Sequence, residues 1–276
     1  MAQDLLEVVK DGVTVLTLNR PDRLNALSGS MLTAMLEALP RLADDPEVGV
    51  VILTGAGRGF CAGGDVKAMA EGREFSGTFE DKAQSLRAAM EVSRWLHEMP
   101  KVTIAMVRGA AAGAGLSLAL ACDLRVASDT ARFATAFARV GYSGDFGGSW
   151  YLTQLVGTAK ARELYFLSDR IDAQEAARIG IVNWVAPREK FRAEVQALAQ
   201  RLAAGPPLAY RYMKRNLNLA LTLHERAGCI SNSARSGSAT ANESKPGPRF
   251  ALDAGTRTLM PARGRRGRHP RWRPPR

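Results

Sequence analysis

The 276-residue sequence is poor in cysteine and histidine, with three of each. Its cysteines, Cys61, Cys122 and Cys229, are odd in number and lack metal-ligand spacing, which argues against a disulfide framework and against a metal site. No apolar run reaches the roughly 18 residues that a membrane span needs. The N-terminus has an acidic residue early and no cationic segment before an apolar run, unlike a secretory signal. These absences predict a soluble protein of the reducing cytoplasm.

The formal net charge of +11 is concentrated at one end of the chain. Of 38 Lys and Arg and 27 Asp and Glu, eleven and two lie between Arg235 and Arg276, which leaves +2 for residues 1–234. The tail also holds six of the 13 prolines and has no helix or strand periodicity, so we predict disorder. RNA or anionic lipid binding by this tail stays open, although nucleic acid is not the expected partner of the near-neutral body.

The body predicts alternating strands and helices. Apolar alternation on both sides of Lys10–Gly12 predicts a β-hairpin, and Ser28 is placed to cap a helix over 29–42. "VGVVILTG" and "VTIAMV" are continuous apolar runs, as expected of strands covered on both faces. A long amphipathic helix is predicted from about Phe79 to Met99, and Trp95 and Trp184 are expected to lie in the core. This order of elements predicts a mainly parallel sheet with right-handed crossovers.

Two glycine-rich loops, "GAGRGFCAGGDV" and "RGAAAGAGLSLA", each follow a predicted strand and precede a predicted helix, at about Val66 and Gly115. Such loops present free backbone N–H groups at a helix N-terminus and let another molecule approach the backbone closely. Neither loop contains the phosphate-binding pattern GxxxxGK[ST] or a proper GxGxxG. Two converging N–H donors are typical of an oxyanion hole, although close helix packing also explains the glycines.

One carboxylate, Asp145, stands inside the small and apolar stretch "GYSGDFGGSWYL". It is a solvated turn residue, the N-cap of the following helix or a catalytic acid/base, and the last two roles can coexist. A helix N-terminus would lower its pKa, whereas desolvation beside Phe137, Phe146 and Trp150 would raise it. The sequence leaves the outcome of this competition open.

The stretches "NRPDRLNALS", "GRGFCAGGDV", "GAAAGAGLSLALACDLRVAS" and "GGSWYLTQLVGTAKARELYFLSDRIDAQEAARIGIVNWV" resemble successive motifs of the enoyl-CoA hydratase/isomerase (crotonase) superfamily over about 6–220. The resemblance implies an α/β fold, a ClpP-like spiral of ββα units over 1–200 followed by a C-terminal helical region over 201–230. The basic tail, 231–276, departs from the family, and a shifted reading frame near 222–230 is our hypothesis for the change. The resemblance further implies a homotrimer or a dimer of trimers.

The resemblance also implies an acyl-CoA thioester substrate, with coenzyme A as part of the substrate and neither metal nor separate cofactor. By position, the backbone N–H groups of Ala62 and Ala114 would stabilise a thioester enolate. One such donor is worth about 2.7–4 kcal/mol. The implied substrate-binding residues are Arg23, Leu24, Ala26, Ala62, Gly63, Gly64, Asp65, Gly113, Ala114 and Phe137.

Three of the neighbouring side chains have further interpretations. Arg23 is either a phosphate contact or a solvated turn residue. Asp65 is expected to cap the helix that follows it, and Cys61 is expected to pack in the core, because no histidine lies nearby in sequence to activate its thiol.

Hydratases of this family use two glutamates, whose positions fall here on Ser117 and Phe137. Neither side chain exchanges protons with water near neutral pH, which argues against ordinary hydration. Asp145 matches a loop aspartate of dienoyl-CoA isomerases and of phenylacetate-pathway epoxide isomerases. The segment around Asp145 is more similar to that of the epoxide isomerases. The resemblance therefore favours a double-bond isomerase with Asp145 as acid/base.

Three alternatives to the isomerase remain. The first is a hydratase-type lyase of fatty-acid or aromatic-acid catabolism, and the second is an acyl-CoA binder without turnover. The third is a hydrolytic dehalogenase, which is disfavoured because its catalytic histidine would fall near Met90.

Overall fold

The computed structural model describes residues 3–65 and 77–221, all within a compact unit, Met1–Lys245. The elements of the described part are β1 (Leu5–Lys10), β2 (Val13–Leu18), α1 (Gly29–Asp44), β3 (Val50–Gly55), α2 (Phe79–Ala89), α3 (Glu91–Glu98), β4 (Val102–Val107), β5 (Ala110–Ala112), α4 (Ala114–Ala121), β6 (Leu124–Ser128), β7 (Arg132–Ala134), α5 (Gly148–Leu167), β8 (Ile171–Asp172), α6 (Ala173–Arg178), β9 (Trp184–Ala186), α7 (Arg188–Ala203) and α8 (Pro207–Ala220). The helix predicted at about Val66, the end of the predicted helical region and the basic tail lie outside the described residues.

The main sheet has six strands in the order β1-β2-β3-β4-β6-β9. Only the β1–β2 pair is antiparallel, and the other four pairs are parallel, with Ile52 of β3 opposite both Val15 and Ile104. A second sheet joins β5, β7 and β8. The predicted hairpin and the mainly parallel sheet are therefore confirmed.

Local signals fix the first elements. Asp11 and Gly12 both have positive φ, 51° and 75°, as the tight turn of a hairpin requires. Ser28 is the N-cap of α1, as predicted, and its side chain accepts a hydrogen bond from the Met31 amide at 3.2 Å. Such a cap is worth about 1 kcal/mol. The cap fixes the end of the segment that leads from β2 to α1 and into the site described below.

Helices cover both faces of the main sheet, which explains its continuous apolar strands. Leu16 and Leu18 of β2 pack in a core with α1, α3, α4 and α5. Ile52 of β3 belongs to a second core on the other face, where Phe191 and Val195 of α7 pack. No helix within 3–65 and 77–221 is long and apolar enough to cross a membrane.

Two expectations are wrong. The predicted helix from Phe79 to Met99 is two helices, α2 and α3. The α-helix is interrupted at Met90, whose carbonyl accepts a hydrogen bond from the Ser93 amide at 3.1 Å, the i→i+3 spacing of a tighter turn. Trp184 was expected in the core but is 36% exposed on β9, the last strand of the sheet.

Candidate active site

Backbone hydrogen bonds join the two glycine-rich loops. The Cys61 amide donates to Ala110 O at 3.0 Å, and the Ala112 amide donates to Cys61 O at 2.9 Å. Gly63 has φ 96°, and a Cβ there would lie 2.8 Å from Ala112 O and 3.4 Å from Ala114 N. Only glycine allows this approach, which brings the first loop against the start of α4.

A cavity of about 250 Å³ opens beside this contact. Gly64 of the first loop, Ala114 at the start of α4 and Asp145 all line it. The apolar part of its wall comes from Leu27, Leu32, Leu36, Leu86, Ala88, Ala89 and Phe146. Asp145 is the one ionisable side chain among the described residues that line the cavity. The cavity therefore combines an apolar wall, the residues Gly64 and Ala114 of the two loops, and a single carboxyl group.

The backbone amides of Gly64 and Ala114 are the two candidate donors. Ala114 is the first residue of α4, so its N–H has no partner within the helix. The Gly64 amide is not the donor of any backbone hydrogen bond between described residues outside the helices and strands. The Ala62 amide, by contrast, donates to Leu24 O at 3.0 Å. The Ala62 amide therefore already has an acceptor in this structure, and its role as an oxyanion donor stays a prediction.

Asp145 does not cap α5. The N-cap is Gly147, with φ 71° and no side-chain cap bond, and the backbone carbonyl of Asp145 accepts from the Gly148 amide at 3.0 Å. The carboxylate atom Oδ1 is buried and has no hydrogen-bond partner among the described residues. Burial raises the pKa of Asp145 to about 6. Desolvation therefore outweighs the helix N-terminus in the competition that the sequence left open.

Tyr165 of α5 is a neighbour of Asp145 that sequence reasoning missed. Burial, with the charge of Asp145, raises the pKa of Tyr165 above its usual range. Its ring stacks on Phe137 with centroids 5.8 Å apart. No local signal marks Tyr165, which occupies an ordinary helical position twenty residues after Asp145.

The two positions where hydratases carry glutamates are both buried. Ser117 donates to Gly113 O at 3.3 Å, and a Cβ on Gly148 would lie 2.2 Å from its Oγ. Phe137 lies beside Gly113, with its ring 3.8 Å from where a Cβ would stand, and does not line the cavity. Neither position supplies a proton donor or acceptor like a carboxyl group.

The loop after β2 is fixed by Asn25, which is fully buried. Its side-chain amide donates to Ala56 O at 2.8 Å and to Gly59 O at 2.9 Å. Leu24 and Asn25 both have positive φ, 49° and 55°, in this turn. These bonds join the loop after β2 to the loop after β3, so the residues implied to lie along the coenzyme A path form one connected wall.

Asp65 pairs with two arginines of the same wall. Its Oδ2 lies 3.0 Å from Arg20 Nη2 and 3.5 Å from Arg23 Nη1. Arg20 also donates to the carbonyl of the buried Ala26 at 2.7 Å. Arg23 remains 43% exposed, so both expectations for it, a phosphate contact and a solvated turn, stay open. The helix that Asp65 was expected to cap lies outside the described residues.

Cys61 packs in the core. It is fully buried, and burial raises the pKa of its thiol to about 12, so the thiolate is disfavoured. No cluster of three or more His, Cys, Asp or Glu suited to a metal ion occurs in the described part of the chain.

Comparison with known proteins decides the family. The model of the enoyl-CoA hydratase/isomerase family matches residues 9–249. The chain belongs to this family. The match continues past residue 220, where the sequence resemblance was expected to fade. The crotonase fold and the predicted family are thus confirmed, and so is the likeness to a phenylacetate-pathway enzyme reported next.

Two curated relatives in this family are each 36% identical to the chain. One is a 1,2-epoxyphenylacetyl-CoA isomerase of Escherichia coli K12, matched over 80% of this chain and 84% of the relative. The other, from Rhodobacter capsulatus, is named "probable enoyl-CoA hydratase" and is matched over 78% and 80%. A protein of Thermobifida fusca YX, solved in complex with CoA, superposes with a TM-score of 0.80 and 32% identity, covering 87% of this chain and 93% of that one.

Proposed function

We propose that the protein is a double-bond isomerase of enoyl-CoA thioesters. The observation that carries this proposal is the position of Asp145, a half-buried carboxyl group whose Oδ1 is buried and which lines one cavity with Gly64 and Ala114. One acid/base suffices to move a double bond, because the proton that leaves one carbon returns to another.

The proposed reaction proceeds through an enolate. The carboxylate of Asp145 takes a proton from the carbon α or γ to the thioester, and the electron pair of that C–H bond moves into the conjugated system as charge develops on the thioester oxygen. The amides of Gly64 and Ala114 donate to that oxygen, each worth about 2.7–4 kcal/mol at the transition state. The carboxylic acid then returns the proton to the other end of the system, so no water or oxidant is consumed.

The raised pKa suits both half-reactions. With a pKa of about 6, Asp145 is mostly ionised at pH 7 to 8 and is therefore ready to accept a proton. Once protonated, it is a weaker acid than a solvated aspartic acid and is matched to a reaction that runs near neutral pH. Gly64 is proposed as the second donor in place of Ala62, because the Ala62 amide donates to Leu24 O in this structure.

The substrate is proposed to be an acyl-CoA with an apolar acyl part. The cavity wall beside Asp145 is formed by leucine and alanine side chains of α1 and α2 with Phe146. The coenzyme A path is proposed to follow Arg23, Leu24, Ala26, Gly63 and Asp65, in line with the family and with the relative solved in complex with CoA. Coenzyme A is part of this substrate, and the reaction needs no separate cofactor.

Hydration is the second candidate, because one relative is named as a hydratase. Water addition by two carboxylates requires a partner for Asp145, and the described lining of the cavity offers none. A dehalogenase is disfavoured because Met90 stands where its catalytic histidine would fall. Binding without turnover requires that Asp145 be dispensable, which the experiment below tests.

The proposed assembly is a homotrimer or a dimer of trimers in the cytoplasm. Large apolar side chains stand exposed at the end of α5 and on α8, as a surface buried between subunits would require: Phe166 is 76% exposed, Leu167 60% and Leu217 70%.

Product analysis tests the function. Purified protein is mixed with 3-enoyl-CoA and with 2-enoyl-CoA; liquid chromatography separates the double-bond isomers, and mass spectrometry detects any added water. The proposal expects double-bond migration that is lost in Asp145→Asn and kept in Asp169→Asn, a change at an exposed aspartate. Addition of water as the main reaction would overturn the proposal, as would migration that persists in Asp145→Asn.

A further inference from the structure

A second cavity lies on the opposite face of the main sheet, under α7. Its volume is about 520 Å³, and its wall is built from the ends of β2, β3, β4 and β6 and the first two turns of α7. Four arginines line it: Arg58, Arg108, Arg188 and Arg192. We call it the arginine pocket. None of its lining residues lines the cavity of Asp145.

The positive charge of the arginine pocket is not compensated. Its described lining contains no aspartate or glutamate. None of the four arginines forms an ion pair within 3–65 and 77–221. The acids adjacent to the lining in sequence are Asp129, which accepts from Ser128 Oγ at 3.1 Å, and Glu189. Four like charges around one cavity favour an anion.

Arg108 is the deepest member of the cluster. Its Nη2 donates to Gly55 O at 3.1 Å, whereas its Nε is buried and has no partner among the described residues. Burial and then repulsion from Arg192 and Arg188 lower the pKa of Arg108. A buried N–H donor without an acceptor is rare in native proteins and calls for a ligand or an ordered water.

The backbone around Arg108 is fixed in place. Gly109 has φ 57°, and a Cβ there would lie 1.9 Å from the carbonyl oxygen of Arg58, so the end of β4 and the loop after β3 are in direct contact. On the opposite wall, α7 begins at Arg188, and its N-terminus adds partial positive charge. Thr17, Ser128 and Thr130 line the same space with hydroxyl groups. The arginines thus surround a pre-formed cavity whose wall also carries the apolar side chains of Val15, Ile52, Met106 and Phe191.

We propose that the arginine pocket binds a diphosphate group. Guanidinium groups bind phosphate oxygens through paired N–H donors and stay charged at every physiological pH. A single phosphate leaves part of a four-arginine cluster unpaired, whereas two linked phosphates carry enough oxygens and charge for the set. The diphosphate comes from free pyrophosphate or from a nucleoside diphosphate. This site is separate from the acyl-CoA cavity and does not depend on the proposed isomerase function.

Calorimetric titration of the full chain with inorganic pyrophosphate tests the proposal. Binding should weaken at least tenfold in the double variant Arg188→Gln/Arg192→Gln, whose two side chains are exposed and whose fold should persist. Arg201→Gln, an exposed change on the same helix, is the matched control and should bind as the unaltered protein does. Parallel titrations with ADP and AMP distinguish the sources: tighter binding of ADP than of pyrophosphate identifies a nucleotide, and equal or weaker binding identifies the free anion.

Four results would overturn the proposal. The first is no heat of binding with millimolar pyrophosphate, and the second is equal weakening in Arg201→Gln, which would show only an effect of net charge. The third is a loss of binding in Arg23→Gln while the double variant binds as well as the unaltered protein does. The anion would then occupy the coenzyme A path. The fourth is a double variant whose sedimentation coefficient differs from that of the unaltered protein, when the unaltered protein itself does not bind pyrophosphate. The arginines would then contact another subunit.

Discussion

The two cavities on opposite faces of the main sheet differ in the charged side chains that line them. On the face of α1 and α2, a single carboxyl group is desolvated among leucines, and its pKa rises to about 6. On the face of α7, four arginines share a cavity and keep their charge. The first arrangement suits proton transfer, and the second suits holding an anion. The comparison shows that burial of one titratable group indicates chemistry more sharply than an accumulation of charge does.

The largest expected effect is the loss of proton transfer in Asp145→Asn. Removing a positioned acid/base typically costs about 10²–10⁴-fold in rate. We therefore expect kcat for double-bond migration to fall by that factor, measured by stopped assays of isomer formation. Asp169→Asn should stay within about twofold of the unaltered protein, because its side chain is 72% exposed and does not line the cavity. A fall in kcat of less than tenfold in Asp145→Asn would contradict the assignment of proton transfer to the cavity that holds Asp145.

The next effect tests the Ala114 amide. Proline tolerates the first position of a helix, so Ala114→Pro removes one N–H while α4 should persist. Loss of one oxyanion donor predicts about a 10²–10³-fold fall in kcat. Ala114→Gly keeps the amide and serves as the control. Equal activity of the proline and glycine variants, with equal circular dichroism, would show that this amide takes no part.

A third effect concerns stability and pH. Burial raises the folded-state pKa of Asp145 from 3.8 to about 6, so the folded protein binds this proton more tightly than the unfolded chain does. Ionisation of Asp145 therefore lowers stability as pH rises from about 4 to 6, by up to about 3 kcal/mol above that range. Asp145→Asn should raise the free energy of unfolding by up to that amount at pH 7.5 and by little at pH 4, measured by urea titration. An equal change at both pH values would contradict the raised pKa.

The smallest expected effect comes from a change in α2, a helix that lines the cavity of Asp145 and not the arginine pocket. Thr78 and Asp81 form a capping box at the start of α2, the helix that supplies Leu86 to the acyl cavity. Thr78→Ala should cost about 1 kcal/mol of local stability and raise KM for the acyl-CoA by a few-fold. Thr78→Ser keeps the box and is the control. Pyrophosphate affinity should not change in either variant, because the arginine pocket has no wall from α2.

Sequence patterns predicted what depends on local chemistry. The hairpin turn at Asp11–Gly12 and the cap at Ser28 each follow from residue types that are adjacent in sequence. Asp145 stood out because a carboxylate is costly in an apolar stretch. Its pKa could not be decided from sequence, since that value depends on burial by Phe146 and on the absence of a cap bond at Gly147.

What sequence patterns did not predict depends on contacts between distant parts of the chain. Sequence reasoning named Ala62 as a donor, whereas the bond from the Ala62 amide to Leu24 O joins residues 38 positions apart and has no local signal. The arginine pocket had no local signal, because parallel strands bring Arg58 and Arg108 beside Arg192 of α7 from widely separated segments. Tertiary pairing, and not residue type, places these groups.

The most direct measurement of the central claim is solvent-deuterium exchange into an enoyl-CoA, followed by mass spectrometry from pH 5 to 8. The account predicts that exchange in the unaltered protein rises with pH through about 6 and then levels off, since the carboxylate of Asp145 is the base. Asp145→Asn should show no exchange across this range. Exchange that persists in Asp145→Asn, or that is already complete at pH 5, would contradict the account.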